Sequence, residues 1–562
     1  MDFELVQSIG QQTFENLRPF FSGVLKDDNE ISASGENTKA PIGIEVMYGT
    51  FQKWGYQTLF QEDLCWYDIW GSMLTEIQRR GVPTSDSEFK SRWKEVQEKA
   101  AKKNMDHYGL THFSCTVLVN KLGRTNHYDY PEQVCFNGEF FSWYFMDYIT
   151  KVYTALKNDE KAKPLFSYMH FNTGHAMTGK RITNLDANLA KFFINMAALP
   201  NTLTVIFADH GHKMTPFSST EEGRRELFDP SFFMIVPDGV AEKLGPQRTA
   251  ALVANQKRLF MLRDVHKAFM SLNDPDKMNS QDFSETGIFS VVPANRTCAD
   301  LYMLPLTRCK CEGFDEEGHI KDNAENHKWL AEFALGTLND AIQKQYVGVI
   351  LFFRSSVYQP ALECGRYRRR LIILTVTVAL LLLGIAVQLQ LIPLVSIIQK
   401  NSEIPCPHLG QQNISHIDEA SSSAIKCKPH RPDKACTEQI VRHYGQPGRV
   451  ENRTCDETHY PDICSFQVTE SGDNKLSCDA KMWKYFSSAY LSAILKKVED
   501  GKKRSGININ VIVLDSISRP HFYRTLPRAV EAFKKINEDP NIKATAMDLN
   551  LSRVLVNRRL KT

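Results

Sequence analysis

Three stretches of the sequence predict an α/β fold built on a mostly parallel sheet flanked by helices. The runs 164–169, 203–207 and 507–514 are short, apolar and rich in β-branched or aromatic residues. Each ends in side chains that bind ligands: His170 and Gly174-His175 after the first, Asp209-His210-Gly211-His212 after the second, Asp515 with Ser516 and Ser518 after the third. Alternation of such strands with helical segments builds a parallel sheet, and open sheets of that class take their ligands outside the carboxyl ends of the strands.

In chain order, residues 45–54 form a helix that Gly55 stops, and 56–60 is strand-like up to Glu62-Asp63. Leu185, Leu189, Phe192, Phe193 and Met196 keep helical spacing until Pro200-Asn201 breaks it. No strand ending in a carboxylate precedes Thr13, so residues 1–345 lack a first core strand, and the run before Asp515 has that missing character. Residues 371–399 carry no charge and follow Arg366, Arg368, Arg369 and Arg370. About 20 such residues span a bilayer, whereas a buried core helix is the other reading. The positive-inside rule then keeps residues 1–370 in the cytosol and exports those from about 400 onward, so a membrane would divide the two halves. The stretch 401–490 is polar and cysteine-rich, like a stalk. The expected organisation is therefore 1–345, a catalytic-type domain; 346–370, a basic cytosolic flank; 371–395, one transmembrane helix; 396–500, a Cys-rich extracellular segment; and 501–562, the first strand and helix of a second, truncated domain.

Composition narrows the function. With 42% apolar and 10% aromatic residues the chain is not disordered, and 68 basic against 65 acidic side chains give no footprint for nucleic acid. Of 13 cysteines, six precede residue 312, six follow residue 400, and Cys364 stands between. They are expected to pair within their own sets, with no bridge across the uncharged run. The lack of a C-x-x-C pair makes structural zinc the weaker reading. Sequons at Asn295, Asn413, Asn452 and Asn550 fit an exported glycoprotein.

Asp515-Ser-Ile-Ser-Arg, Gly10-Gln-Gln-Thr13 with Asn16, Gly55-Tyr-Gln-Thr with Glu62-Asp63, Asp209-His210-Gly211 and Arg296-Thr-Cys298 with Cys309-Lys-Cys311 together resemble the domain-of-unknown-function 229 family. That family groups sulfatase-like, alkaline-phosphatase-superfamily ectodomains. The resemblance covers about residues 1–345 and, separately, 400–550, but the family order of signal-anchor, cysteine-rich segment and Asp-Ser-x-Ser-Arg strand is here moved to the end. Met547-Asp-Leu-Asn-Leu also repeats three of five residues of Met1-Asp-Phe-Glu-Leu. The chain thus looks like the later part of one copy fused to the beginning of a second.

The resemblance implies a membrane-anchored, cell-surface hydrolase or transferase of phosphate or sulfate esters. Asp209, His210 and Asp515 would hold a divalent metal, Zn or Mn; Thr13 would be the nucleophile; His175 would contact the transferred group; and Cys298, Cys309 and Cys311 would lie in disulfides. His212 stands where relatives often carry Arg, and His170 is expected to be a structural neighbour. Plainer readings stay open: Thr13 as a helix N-cap, Asp209-His210 as a solvated turn, Asp515 as a turn cap through Ser518, His175 as an ordinary loop residue. As fused, the chain is expected to be inactive, and a catalytically dead ectodomain that binds glycans or protein partners is the alternative.

Overall fold

The structure, a computed structural model, describes residues 1–25, 42–68, 82–128, 134–303 apart from 137 and 160, 307–311, 427, 455, 464–468, 474–478 and 506–546. All of these fall in one unit formed by Met1–Glu30, Lys39–Asp315 and Pro405–Thr562; a second unit, Ile31–Thr38 with Glu316–Ile404, lies outside the described residues. The segments 346–370 and 371–395, Cys364, Asn413 and Asn452 also lie outside them. Among the described residues no helix is long and apolar enough to cross a membrane.

Ten strands are described: β1 Gln57–Glu62, β2 Cys135–Phe136, β3 Glu139–Phe140, β4 Leu165–Phe171, β5 Thr202–Phe207, β6 Phe232–Pro237, β7 Cys464–Val468, β8 Asn474–Cys478, β9 Asn508–Leu514 and β10 Ala544–Thr545. The helices are α1 Thr13–Ser22, α2 Ile44–Lys53, α3 Asp86–Lys102, α4 Thr111–Leu122, α5 Phe141–Asn158, α6 Asp186–Ala197, α7 Glu221–Leu227, α8 Asp238–Asn255, α9 Leu262–Met270, α10 Phe283–Thr286, α11 Arg519–Thr525 and α12 Pro527–Glu538. Six strands make the main sheet in the order β1-β4-β9-β5-β6-β10. The first four run parallel, while β6 is antiparallel to both β5 and β10. The α/β reading and its helix and strand assignments at 45–54, 56–60, 164–169, 184–196, 203–207 and 507–515 agree with the observed elements to within a residue or two.

The sheet is covered on both faces, which is why its strands are apolar almost throughout. Successive side chains alternate between faces. Ile509, Val511 and Val513 of β9 join Phe166, Tyr168, Val205 and Phe207 under α1, α2, α8 and α9. Ile512 and Leu514 join Met169, Phe171 and Ile206 under α5, α6 and α12. Two asparagines interrupt that second face and fix where β9 sits. Asn508 Oδ1 accepts from Leu165 N at 3.1 Å and its Nδ2 donates to Thr202 Oγ1 at 3.2 Å, while Asn510 Oδ1 accepts from Ser167 Oγ at 3.0 Å. Buried polar groups need partners, and these find theirs only between β4 and β5.

Residues from the far end of the sequence therefore occupy the middle of the sheet. Buried ion pairs reinforce the junction: Arg519 reaches Asp2 at 2.5 Å and Arg524 grips Glu226 through two bonds of 2.7 and 2.6 Å. The ends of the two pieces also meet. Thr545 pairs with Val236, and two residues further along β6 Met1 exchanges backbone bonds with Met234, followed by the antiparallel bridge of Asp2 with Phe233. Met1 thus takes the place on β6 that residue 547 would reach if β10 ran on.

Two sequence expectations are corrected here. Cys65–Cys115 and Cys298–Cys309 bond within the first set, but Cys135–Cys455 and Cys311–Cys427 join one set to the other. Sequence grouping fails because pairing follows the folded neighbourhood, and the insertion of β9 brings the late segment onto the early one. Nor does a bilayer divide the halves, since β9 shares backbone bonds with β4 and β5.

Stability should fall with acid for an identifiable reason. Burial pushes His112 and His266 down to about 4, the latter also facing Arg263 and Lys267 while its ring bonds Phe20 O at 2.8 Å. An unfolded histidine takes up its proton near 6.5, so the folded form binds fewer protons between pH 6.5 and 4 and loses stability as pH falls through that window. At pH 5 the loss is about 2 kcal/mol for His266 and less for the more exposed His112. Urea midpoints at pH 7, 6 and 5 should decline in that order; a flat series would refute the assignment.

Candidate metal centre

The parallel strands present their carboxyl ends along one edge. Glu62 pairs with His170, His170 with Val513, and Val513 with Phe207. Asp515 and Asp209 each lie two residues beyond a paired position, so Glu62, His170, Asp515 and Asp209 share the face that packs under α1. Each carboxylate is delivered by an apolar strand too well buried to shift.

Asp209, His210 and Asp515 come together, with one ligand atom of each lying within 4.8 Å of the others and all three side chains buried. His210 Nδ1 lies 2.7 Å from Gly211 O. A carbonyl can only accept, so Nδ1 carries a proton and Nε2 is the ring atom left to face the site. That atom sits 3.3 Å from Asp209 Oδ2, and neither has a hydrogen-bond partner. Asp209 Oδ1 is occupied by the backbone N–H groups of His210 at 2.9 Å and Ser516 at 3.2 Å. A buried carboxylate oxygen and an imidazole nitrogen that face each other are stabilised by a cation between them, proton or metal. Two carboxylates and one imidazole form a hard-to-borderline donor set that fits Zn²⁺ or Mn²⁺, and three ligands leave positions open. The second cluster of potential ligands among the described residues, Cys298, Cys309 and Cys311, is consumed by disulfides.

Asp515 is held as a carboxylate. Burial opposes its ionisation, but His175, His170 and His210 outweigh that and keep its carboxyl far below the usual range. Its Oδ2 lies 3.4 Å from His170 Nε2. Burial likewise works against the charge on His170, yet Asp515 and Glu62 raise it to about 9. His170 is thus held against the carboxylate of Asp515. Its place two residues after Tyr168, whose hydroxyl contacts His170 Nδ1 at 2.8 Å, puts it on the site's face; a histidine inside an apolar run was the available signal. Glu62, buried and bonded by Asn172, is pushed up to about 7.

Thr13 is the first residue of α1. Gln12 takes the N-cap position, its N–H received by Glu15 Oε2 at 3.0 Å, so Thr13 is not the cap. The Thr13 hydroxyl makes no hydrogen bond among the described residues. The loop before it is latched by Asn16, which bonds Ile9 N, Gly10 O and Gln12 O. Ser8 Oγ donates to Asp209 O at 2.7 Å and Lys213 Nζ reaches Gln11 O at 3.4 Å, so this helix start is tied to the Asp209 loop.

His175 follows Gly174, where a Cβ would come 2.4 Å from Asp515 O, so only glycine allows that approach. Its ring packs 4.6 Å from Tyr128 and its Nδ1 is unpaired; burial lowers its pKa, with Asp515 opposing and His210 and Lys213 adding to the effect. His212 is occupied on both nitrogens, by Ala176 O at 2.7 Å and Met214 N at 3.2 Å. Ser518 does not serve Asp515: it caps α11 through His521 N and donates to Glu226. Asn295 is exposed.

Fold and site define an α/β protein with a buried centre of two carboxylates and one imidazole at the carboxyl edge of its sheet. Residues 86–349 match the model of the family described as Protein of unknown function (DUF229). No curated protein and no solved structure matches the chain.

Proposed function

We propose that this centre serves a metal-dependent hydrolase, or a transferase of the same chemistry, acting on phosphoric or sulfuric esters at the cell surface. The observation that carries the reading is the unsatisfied pair Asp209 Oδ2 and His210 Nε2, completed by Asp515. A divalent ion held by these three supplies Lewis acidity, lowering the pKa of an adjacent hydroxyl and drawing charge from an ester oxygen. Thr13, at the positive end of α1, attacks the phosphorus or sulfur, and the alcohol leaves. His175, neutral and unpaired on Nδ1, contacts the transferred group and can hold a proton. Lys213 adds positive charge for the anion. Water then releases the group from Thr13.

The reading extends to the chain's organisation. The succession of Thr545 and Met1 along β6, with the repeat at Met547, supports two copies joined in the wrong order. Membrane association through 371–395 is proposed from its uncharged run and flanking arginines. The test compares the full chain with one in which residues 371–546 precede Met1, assaying an aryl phosphate and an aryl sulfate with and without EDTA. EDTA-sensitive turnover is expected in both, because the site is assembled in either order. Stoichiometric metal with no turnover of either ester would favour the glycan- or protein-binding ectodomain, and an empty protein would sink the centre.

A further inference from the structure

Ser516 is buried, with 1% of its surface exposed, and holds φ at +64°. It is one of two non-glycine residues with positive φ among the described residues. A Cβ is disfavoured in that conformation, which glycine adopts freely. Backbone strain of this kind persists only where the surroundings enforce it, and it gathers at functional sites.

The kink puts Ser516 between the two carboxylates. Its N–H donates to Asp209 Oδ1 at 3.2 Å, and its hydroxyl donates to Asp515 Oδ1 at 2.8 Å. One residue thereby joins the tips of β5 and β9, which are otherwise independent loops. In both carboxylates the bond falls on Oδ1. Asp209 Oδ2 is left beside His210 Nε2, while Asp515 Oδ2 pairs with His170 Nε2 at 3.4 Å. Glycine would keep the backbone bond and relieve the strain; what serine adds is the hydroxyl on Asp515.

We infer that Ser516 is a positioning residue that presets both carboxylates for the metal, fixing the orientation of each before the ion arrives. This rests on the metal reading of Asp209, His210 and Asp515. Hydrogen bonds to ligating carboxylates orient them, and their loss weakens metal binding by roughly 10- to 100-fold.

The test uses the full chain, stripped of metal and titrated calorimetrically with Mn²⁺ and Zn²⁺, beside Ser516→Gly and Ser516→Ala. Both variants should raise the metal Kd by roughly 10- to 100-fold. The metal-free Tm of Ser516→Gly should stay level or rise, which a purely structural role does not predict. Ser516→Gly also keeps the experiment decisive if Ser516→Ala fails to fold. An unchanged Kd in Ser516→Gly would overturn the inference while leaving the centre intact. An unaltered chain that binds neither ion would overturn both.

Discussion

Asp209→Asn should make the metal-free protein more stable while abolishing its metal binding. The carboxamide has the shape of the carboxylate but places an N–H donor where Asp209 Oδ2 now faces His210 Nε2 at 3.3 Å without a partner. Converting the facing pair into a donor–acceptor pair recovers about 1–3 kcal/mol, the usual cost of an unsatisfied buried group. A neutral amide is a poor ligand for Zn²⁺ or Mn²⁺, so the metal Kd should rise by more than the roughly 100-fold that an outer-shell residue commands. Ester turnover should fall with it, by about 10³-fold. The two effects have opposite signs, which separates a metal site from an ordinary buried turn. Denaturant unfolding in EDTA measures the first, and calorimetric metal titration the second. A variant that is less stable without metal, or that still binds it, contradicts the assignment.

Arg524→Leu is expected to cost about 3–5 kcal/mol. Its guanidinium makes two parallel bonds to Glu226, and both side chains are buried, so removing the cation leaves a carboxylate in the interior with only Ser518 Oγ for company. The double variant Arg524→Leu/Glu226→Leu should recover much of the loss, because buried pairs can often be exchanged for apolar residues without net penalty. The consequence reaches the site, since Gly211 packs so closely on Glu226 that a Cβ would come 2.2 Å from its carbonyl oxygen. Chemical unfolding of the single and double variants checks this. Equal stability of Arg524→Leu and the unaltered chain would show that the pair contributes nothing.

How much of this was legible in the sequence depended on what kind of signal each feature left. Strands β4, β5 and β9 announced themselves as apolar runs, and their polar tips marked the edge where Asp209, His210 and Asp515 meet. Which face each strand residue takes was not readable, because helices on both sides make both faces apolar and erase the alternation. β6 was missed, although Phe232 to Val236 is as apolar as its neighbours. Ser516 left no trace either: positive φ in a serine is imposed by the fold around it. The bridges from Cys135 to Cys455 and from Cys311 to Cys427 span 320 and 116 residues, and only the sheet order, with β9 between β4 and β5, makes them neighbours.

The central position of β9 also dictates the tempo of biosynthesis. Everything through Cys311 leaves the ribosome before the strand that divides β4 from β5 exists. About 200 further residues must follow, which at roughly 5–20 residues per second takes about 10–40 s. For that interval the facing sides of β4 and β5 have no hydrogen-bond partner, and exposed strand edges of this kind template aggregation. A nascent chain stalled just before residue 506 should therefore be the species that holdase chaperones retain, and its release should coincide with the emergence of β9.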